Sequence, residues 1–344
     1  MRKKAQVLII SLWILVILAM LTISIGHRVS LALRLSRYQK ERLKATYLAK
    51  AGINIAIVEI EKDDPNTDSL KDKWSDNLEK FEKISLDDNK NEFATVSSVT
   101  DGERKININT APQELLVELL NSVRAVNALE LANNICAWRG DTGVTIPDYQ
   151  ALGYANKAKK FSNIEELMLI KGFAEDIYNS LKEFVTAYPQ EGESRININI
   201  VPKEVLEILM NTYVKKLQER NIPIENPEAL LAAIIDFRNK DGIFTDVNIE
   251  SGLESLSDQQ KNILNDPVDG LKNKITVKSN YFCIVSEGKI NTSKLKHKIE
   301  CVFDRQGHQV IFSATEHTEN TEKTLLILSV NSVSSAVKLI EDFT

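Results

Sequence analysis

Between Val7 and Ile25 the chain runs for 19 residues without a charge or a proline. At about 1.5 Å of rise per helical residue this stretch spans roughly 28 Å, close to the ~30 Å hydrocarbon core of a bilayer. It therefore reads as a membrane-spanning helix. Arg2, Lys3, Lys4 and the small Ala5 precede it, and no helix breaker follows. A secretory signal would have a shorter apolar stretch with small residues and a cleavage site behind it. From Gln6 to Lys62 the only weak points are Gly26 and Gly52, each costing about 1 kcal/mol against alanine. Basic residues flank both ends, with Arg28, Arg34, Arg37, Lys40, Arg42 and Lys44 beyond the span. The short basic leader favours a cytoplasmic N-terminus, with the bulk of the chain across the membrane.

Past the span, Leu31, Leu35, Tyr38, Ile53, Ala56, Ile57 and Ile60 recur at three and four, the spacing of an amphipathic rod. The stripe is suited to its own globular part, to other subunits, or to both. Asp63-Asp64-Pro65-Asn66 ends the helix. Residues 63–92 are polar, with Trp74, Leu78 and Phe81 marking one short helix. Phe93 to Val99 alternates like a strand, Asp101-Gly102 turns, and Arg104-KININ completes an expected hairpin.

An internal echo organises the middle of the chain. Lys105-ININTAPQELLVELL is matched by Arg195-ININIVPKEVLEILM, 90 positions on, so residues 105–120 and 195–210 form a duplicated motif. Each copy reads as a short strand, an asparagine turn and a helix that Pro112 or Pro202 opens. Glu114 and Glu204 fall in the first helical turns, where they favour the helix dipole. Related pieces follow each copy, Ile135-CAWRGDTG and Ile235-DFRNKDGIF.

Between the copies, Phe161 to Pro189 has the shape of a helix-hairpin-helix. Ser162 or Asn163 caps its first helix, Gly172 separates the two limbs, and Leu167, Ile170, Ile177, Leu181 and Phe184 keep helical spacing. In DNA-binding versions of this hairpin, backbone N–H groups at the turn hold a phosphate. Here Glu175 and Asp176 stand where the phosphate would sit, each opposing it by about 1 kcal/mol or more. The hairpin reads as a packing unit. The net charge of −5 agrees, because it provides no broad basic field for nucleic acid.

From Lys274 the pattern returns to strands, Ile275-TVKSNYFCIVSEGKI and Leu295-KHKIECVFDR, with a turn expected at Asn291-Thr292-Ser293. A hairpin centred there sets Cys283 opposite Cys301. An oxidising compartment would allow a disulfide, and two small buried thiols are the other reading. With Cys136 the cysteines number three, too few for a framework and without metal spacing. The four histidines (His27, His297, His308, His317) are scattered, and no nucleophile–base arrangement suggests an enzyme.

The N-terminus resembles type IV pilin-like proteins, whose prepilin peptidase cuts between a short basic leader and the apolar helix. That resemblance implies a cut between Ala5 and Gln6, with residues 1–5 as leader and methylation of the new terminus. Most pilins carry a glutamate at the fifth mature position, here Ile10. A carboxylate at that depth costs roughly 2.5–3.5 kcal/mol or more, so its absence suits a subunit with no neighbour above it. The order of parts over residues 1–305 resembles the general secretion pathway protein K family, the minor pseudopilins of type II secretion. Ile10, Ile106-NINTAP, Trp138-RGD, the run from Phe161 to Pro189, Ile196-NINIVP and Val277-KSNYFCI carry that likeness. Ile200-Val201 and Gly140 depart from the family pattern.

The resemblance implies a pilin-like α+β fold. A long N-terminal transmembrane helix (6–62) packs on a small antiparallel sheet, into which a large all-α domain with helix-hairpin-helix-like repeats is inserted. Residues 63–104 supply linker and early strands, 105–273 the helical domain, and 274–305 the closing strands. Residues 306–344 form an extension beyond the resemblance, with Gln309-VIFSATEH and Thr324-LLILSV as added strands and Ser332 to Phe343 as a short helix. The implied work is to nucleate and cap a pseudopilus with two other minor pseudopilins, supporting export of folded proteins from the periplasm. Its partners would be the major pseudopilin, the inner-membrane assembly platform, prepilin peptidase and membrane lipid. Family members can bind calcium in the helical domain. Asp141 and Asp148 are the acids available for it here, and solvated loop acids are the other reading. Two rival functions remain open from the residues, a minor pilin of a type IV pilus and a membrane-anchored DNA receptor.

Overall fold

The computed structural model describes residues 2–75, 81–86, 91–253, 256–291, 295–312 and 328–329, without the side chains of 2–9 and 151. The expected turn at 292–294, most of the short helix near Trp74, and the C-terminal helix from Ser332 lie outside the described residues. Two compact units divide the chain. One comprises Met1–Ile53, Lys80–Ser97 and Ser286–Ile299, and the other Asn54–Glu79, Ser98–Val285 and Glu300–Thr344.

The first unit is built on residues 2–53 of α1 (Arg2–Glu61), a continuous helix of 60 residues. From Ile10 to Leu43 its large apolar residues are exposed, and burial begins at Ala45, Leu48 and Ala49. Small residues explain the change of environment. Gly288 of β7 (Tyr281–Ile290) lies so close to Ala45 and Ala49 that a Cβ on it would strike the helix backbone. Gly52 likewise faces Ser286 and Ala94. The helix penalty of Gly52 is therefore offset by a close helix–sheet approach. Ile290 and Leu295 close over Ala45 and Leu48. β1 (Ile84–Ser85) pairs antiparallel with the start of β2 (Glu92–Asp101), Ile84 opposite Ala94.

The second unit contains the duplication. In the first copy, β3 (Ile106–Asn107) pairs in parallel with β4 (Val185–Thr186), and α2 (Gln113–Ser122) packs on α3 (Ala128–Trp138). In the second, β5 (Ile196–Asn197) pairs in parallel with β6 (Ile275–Thr276), and α5 (Lys203–Glu219) packs on α6 (Pro227–Asn239). Both strands of each pair stand 90 positions from their counterparts, so the repeat extends well past the motif visible in sequence. Leu116, Leu119 and Leu120 share one apolar core with Leu206, Leu209 and Leu217.

The asparagines lock each copy. Asn107 Oδ1 accepts from Asn109 N at 2.8 Å, and Asn197 Oδ1 from Asn199 N at 3.0 Å. Asn109 then grips Phe161, accepting from its N at 2.7 Å and donating to its O at 3.0 Å. Asn199 grips Phe244 the same way, at 2.8 and 2.9 Å. Such fully paired buried amides fix a loop that apolar contacts alone would leave free to slide. From Phe161 and Phe244 onward a second correspondence runs at 83 positions. A 3-10 helix (Ile164–Leu169 or Ile249–Gly252) leads to an α-helix, α4 (Glu175–Leu181) or α7 (Asp258–Asn265). Ile170 and Leu253, then Leu181 and Leu264, are the matching buried anchors. Asn163 caps the first limb, as expected, although that limb is 3-10 rather than α.

Two expectations about strands are corrected. Arg104-KININ makes no hairpin with β2, because Ile106 and Asn107 are claimed by β4. β2 instead neighbours β1 and β7 in a sheet of order β1-β2-β7-β8-β9-β10, where β8 is Leu295–Asp304, β9 Gln309–Phe312 and β10 Leu328–Ser329. Ile275-Thr276 does not open the closing sheet. It completes the second helical copy, and the sheet resumes at Tyr281. The two expected added strands at 309 and 324 correspond to β9 and β10, which pair with each other.

Candidate assembly surface

A long exposed apolar surface runs along α1. Leu12, Trp13, Leu15, Met20 and Ile23 are each more than three-fifths exposed, and Ile10 is 59% exposed. Nothing polar interrupts this stretch except hydroxyls, and Thr22 Oγ1 donates its proton to Leu18 O at 2.8 Å. A helix satisfies its backbone internally, so such an apolar cylinder is stable in lipid or against other apolar helices and not in water. Its length and composition suffice to cross a membrane. Ala5 and Gln6 lie within α1.

Ion pairs engage some of the acids of the helical copies. Asp141 accepts from Arg139 Nε at 2.9 and 2.8 Å and from Nη2 at 2.5 Å, while Arg139 Nη1 donates to Ile108 O. Asp148 accepts from Gln150 N at 2.9 Å. As placed, a calcium ion needing six to eight oxygens would have to displace the guanidinium from Asp141, so these two acids do not fit a ready-made site. The acid that meets Trp138 is Glu166, which accepts from its Nε1 at 3.2 Å and pairs with Lys157 at 2.7 Å. Burial raises the Glu166 carboxyl, but the Lys157, Ser162 and Trp138 hydrogen bonds outweigh it and leave the pKa below the ordinary value. Spacing gave no sign of that partner, 28 positions away.

None of the three cysteines is in a disulfide. β7 buries its even-numbered residues, Phe282 and Ile284, whereas β8 buries its odd ones, Ile299, Cys301 and Phe303. Cys301 therefore faces the core and Cys283 the opposite side, where its Sγ lies 3.4 Å from Glu300 Oε1. The expected face-to-face cysteine pair therefore does not form, since successive residues of a strand alternate faces and a one-residue change of register reverses them. Burial pushes the Cys136 thiol up to about 11 and raises Cys301 further, so both are inert core thiols.

Sequence reasoning missed a buried polar junction. Asp68 accepts from Arg305 Nη2 at 2.8 Å, from Arg305 Nη1 at 3.1 Å and from Ser279 N at 2.7 Å. The Arg305 guanidinium also lies over the Phe282 ring, 4.7 Å from its centroid, and Phe282 meets Trp74 edge to face. Carboxylate oxygens of Asp63, Asp68 and Asp72 fall within 4.8 Å of one another. Asp68 is committed to Arg305 and Asp72 to Ser69. Burial, and then the charge of Asp72, push the Asp63 carboxyl up to about 6.

An exposed apolar helix long enough to cross a membrane, running into a helix–sheet unit, and a second unit with a duplicated helical motif fit the class of pilin-like α+β folds. Residues 85–190 match the family described as type II secretion system (T2SS), protein K. The fold is shared with a chain in the crystal structure of the GspK-GspI-GspJ complex from the enterotoxigenic Escherichia coli type 2 secretion system. That likeness has a TM-score of 0.58 at 18% identity, covering 83% of this chain and 99% of that one. No curated protein matches significantly by sequence. The family match covers 106 of the 344 residues, and the solved structure shows a shared fold.

Proposed function

We propose that this chain is a minor pseudopilin that stands at the tip of a type II secretion pseudopilus, together with two other minor pseudopilins. The observation that carries this reading is the fold shared, over 83% of this chain and 99% of the other, with a chain of the GspK-GspI-GspJ complex. The family match at 85–190 adds to it. Ile10 supports the apical position, since an uncharged fifth position does not need a neighbour's amine above it.

In this reading the chain does no bond chemistry. α1 holds it in the inner membrane with the bulk of the chain in the periplasm, after prepilin peptidase cuts between Ala5 and Gln6. The inserted helical unit suits the filament's end, because so wide an insertion does not stack inside a narrow filament. Nucleating and capping the pseudopilus supports export of folded proteins, and major pseudopilin and assembly platform are the further partners. Calcium at Asp141 and Asp148 would require rearrangement of Arg139. The acidic first turn of α4 disfavours the DNA-receptor alternative.

Co-expression with the other minor pseudopilins of the same system is the direct test. A stable complex containing one copy of each is expected on size exclusion. Separate elution of this chain under conditions where the other two associate would count against the proposal. N-terminal sequencing should give a mature chain starting at Gln6, and an intact Met1 would remove pilin-type processing.

A further inference from the structure

Asp101 ends β2, and Glu103 follows in a short 3-10 turn (Gly102–Arg104); both side chains are buried. Asp101 Oδ1 accepts from Glu103 N at 2.7 Å, and its Oδ2 contacts the Ser279 hydroxyl. Ser279 Oγ accepts from Asn197 Nδ2 at 2.9 Å, which leaves the hydroxyl proton for Asp101. Glu103 Oε1 accepts from Asn280 N at 2.9 Å, and Oε2 from Tyr281 N at 3.1 Å. The Asp101 charge also acts directly on the Glu103 carboxyl. Asp68 faces Asp101 from the segment after α1, with its own charge answered by Arg305. Tyr281 faces Glu103, and Asp304 lies beyond it. The neighbouring cation Lys105 is directed elsewhere, donating to Lys182 O. Among the described residues no lysine, arginine or histidine forms an ion pair with Asp101 or Glu103.

Two adjacent buried carboxylates without a cation cannot both ionise at low cost. We infer that Asp101 and Glu103 share one proton near neutral pH and form a pH-sensitive latch. The latch fastens the end of β2 to residues 279–281 in mild acid and loosens as the proton leaves. A protonated Glu103 donates to Asp101 while its oxygens still accept from the Asn280 and Tyr281 amides, so no hydrogen bond is sacrificed. Burial pushes Asp101 up to about 6, and burial followed by the Asp101 charge pushes Glu103 well above its ordinary value. With folded-state values raised above unfolded ones, the folded chain binds more protons, and stability falls as pH rises through that range. Asp63 and Asp68 are shifted in the same direction. Glu166 and Asp266 are shifted oppositely, but they act only below about pH 4.5.

The test uses the full chain in detergent micelles, unfolded by denaturant between about pH 5.5 and 8.5. Each proton released on unfolding should change the unfolding equilibrium about tenfold per pH unit. Wild type should lose stability as pH rises, and Glu103→Gln or Asp101→Asn should flatten that dependence, whereas Asp63→Asn should keep the latch's share. Infrared spectra of wild type near neutral pH should contain the C=O stretch of a protonated carboxyl, lost in Glu103→Gln. An unaltered pH slope in the variants overturns the inference. If neither variant folds, the wild-type spectrum decides, and absence of the protonated-carboxyl stretch overturns it equally.

Discussion

Asn109 and Asn199 are the same residue of the repeat under different loads. Asn109 makes three hydrogen bonds to buried backbone, two with Phe161 and one with Ala187, whereas Asn199 makes two with Phe244. A buried group left without its partner costs roughly 1–3 kcal/mol. Asn109→Ala should therefore destabilise the chain by about 3 kcal/mol or more, and Asn199→Ala by less, as read from denaturant midpoints at unchanged m-value. The reverse order would mean that the amides are not what holds the loops. Arg305 carries a heavier load, being the ion-pair partner of a fully buried Asp68. Arg305→Met should cost about 3–5 kcal/mol, because the carboxylate stays behind unpaired. The additional change Asp68→Asn should recover part of that loss.

At the scale of elements, the contact of α1 with β7 depends on Gly288 and Ala45. Gly288→Ala places a methyl against the helix backbone, and overpacking of this kind costs about 1–3 kcal/mol, occasionally more. Thermal unfolding should shift down accordingly, while Gly26→Ala, with open space around it, should leave unfolding of the globular units unchanged. Among the helices, the repeat was legible where it is local. A strand, an asparagine turn, a proline and an amphipathic helix all fall within 16 residues, so one window of sequence contains them. The correspondence from Phe161 to Phe244 was hidden, because its offset is 83 rather than 90 and its shared feature is a buried anchor pattern. The failed hairpin has the same origin. β-propensity says that Ile106 and Asn107 are extended, but the choice between β2 and β4 as partner belongs to packing.

For the whole molecule, the anchor and the apical position make separate predictions. Deleting residues 1–25 should move the chain from the membrane fraction to the soluble one, as followed by fractionation at moderate salt. Ile10→Glu should leave membrane insertion largely intact while reducing export and fibre initiation. A burial cost of about 2.5–3.5 kcal/mol for a lone carboxylate in lipid corresponds to a loss of roughly two orders of magnitude in any assembly step that keeps it unpaired. Unaltered export would remove the argument from Ile10. Retention of the truncated chain in membranes would remove the argument from the span.

The sequence by itself determined an apolar helix long enough to cross a membrane, its continuation as one helix to Glu61, the duplicated strand-to-helix motif and the likeness to one family. Each is written locally, in apolar run length, in helical periodicity or in a repeated string. Tertiary structure alone decided which strands pair, that residues 275–276 belong to the second helical copy, and that Cys283 and Cys301 face opposite ways. It also decided that Asp101 and Glu103 are buried together without an ion pair among the described residues. Those outcomes depend on register and on desolvation. Register reverses with a single-residue slip, and desolvation exists only once distant segments have closed around a group.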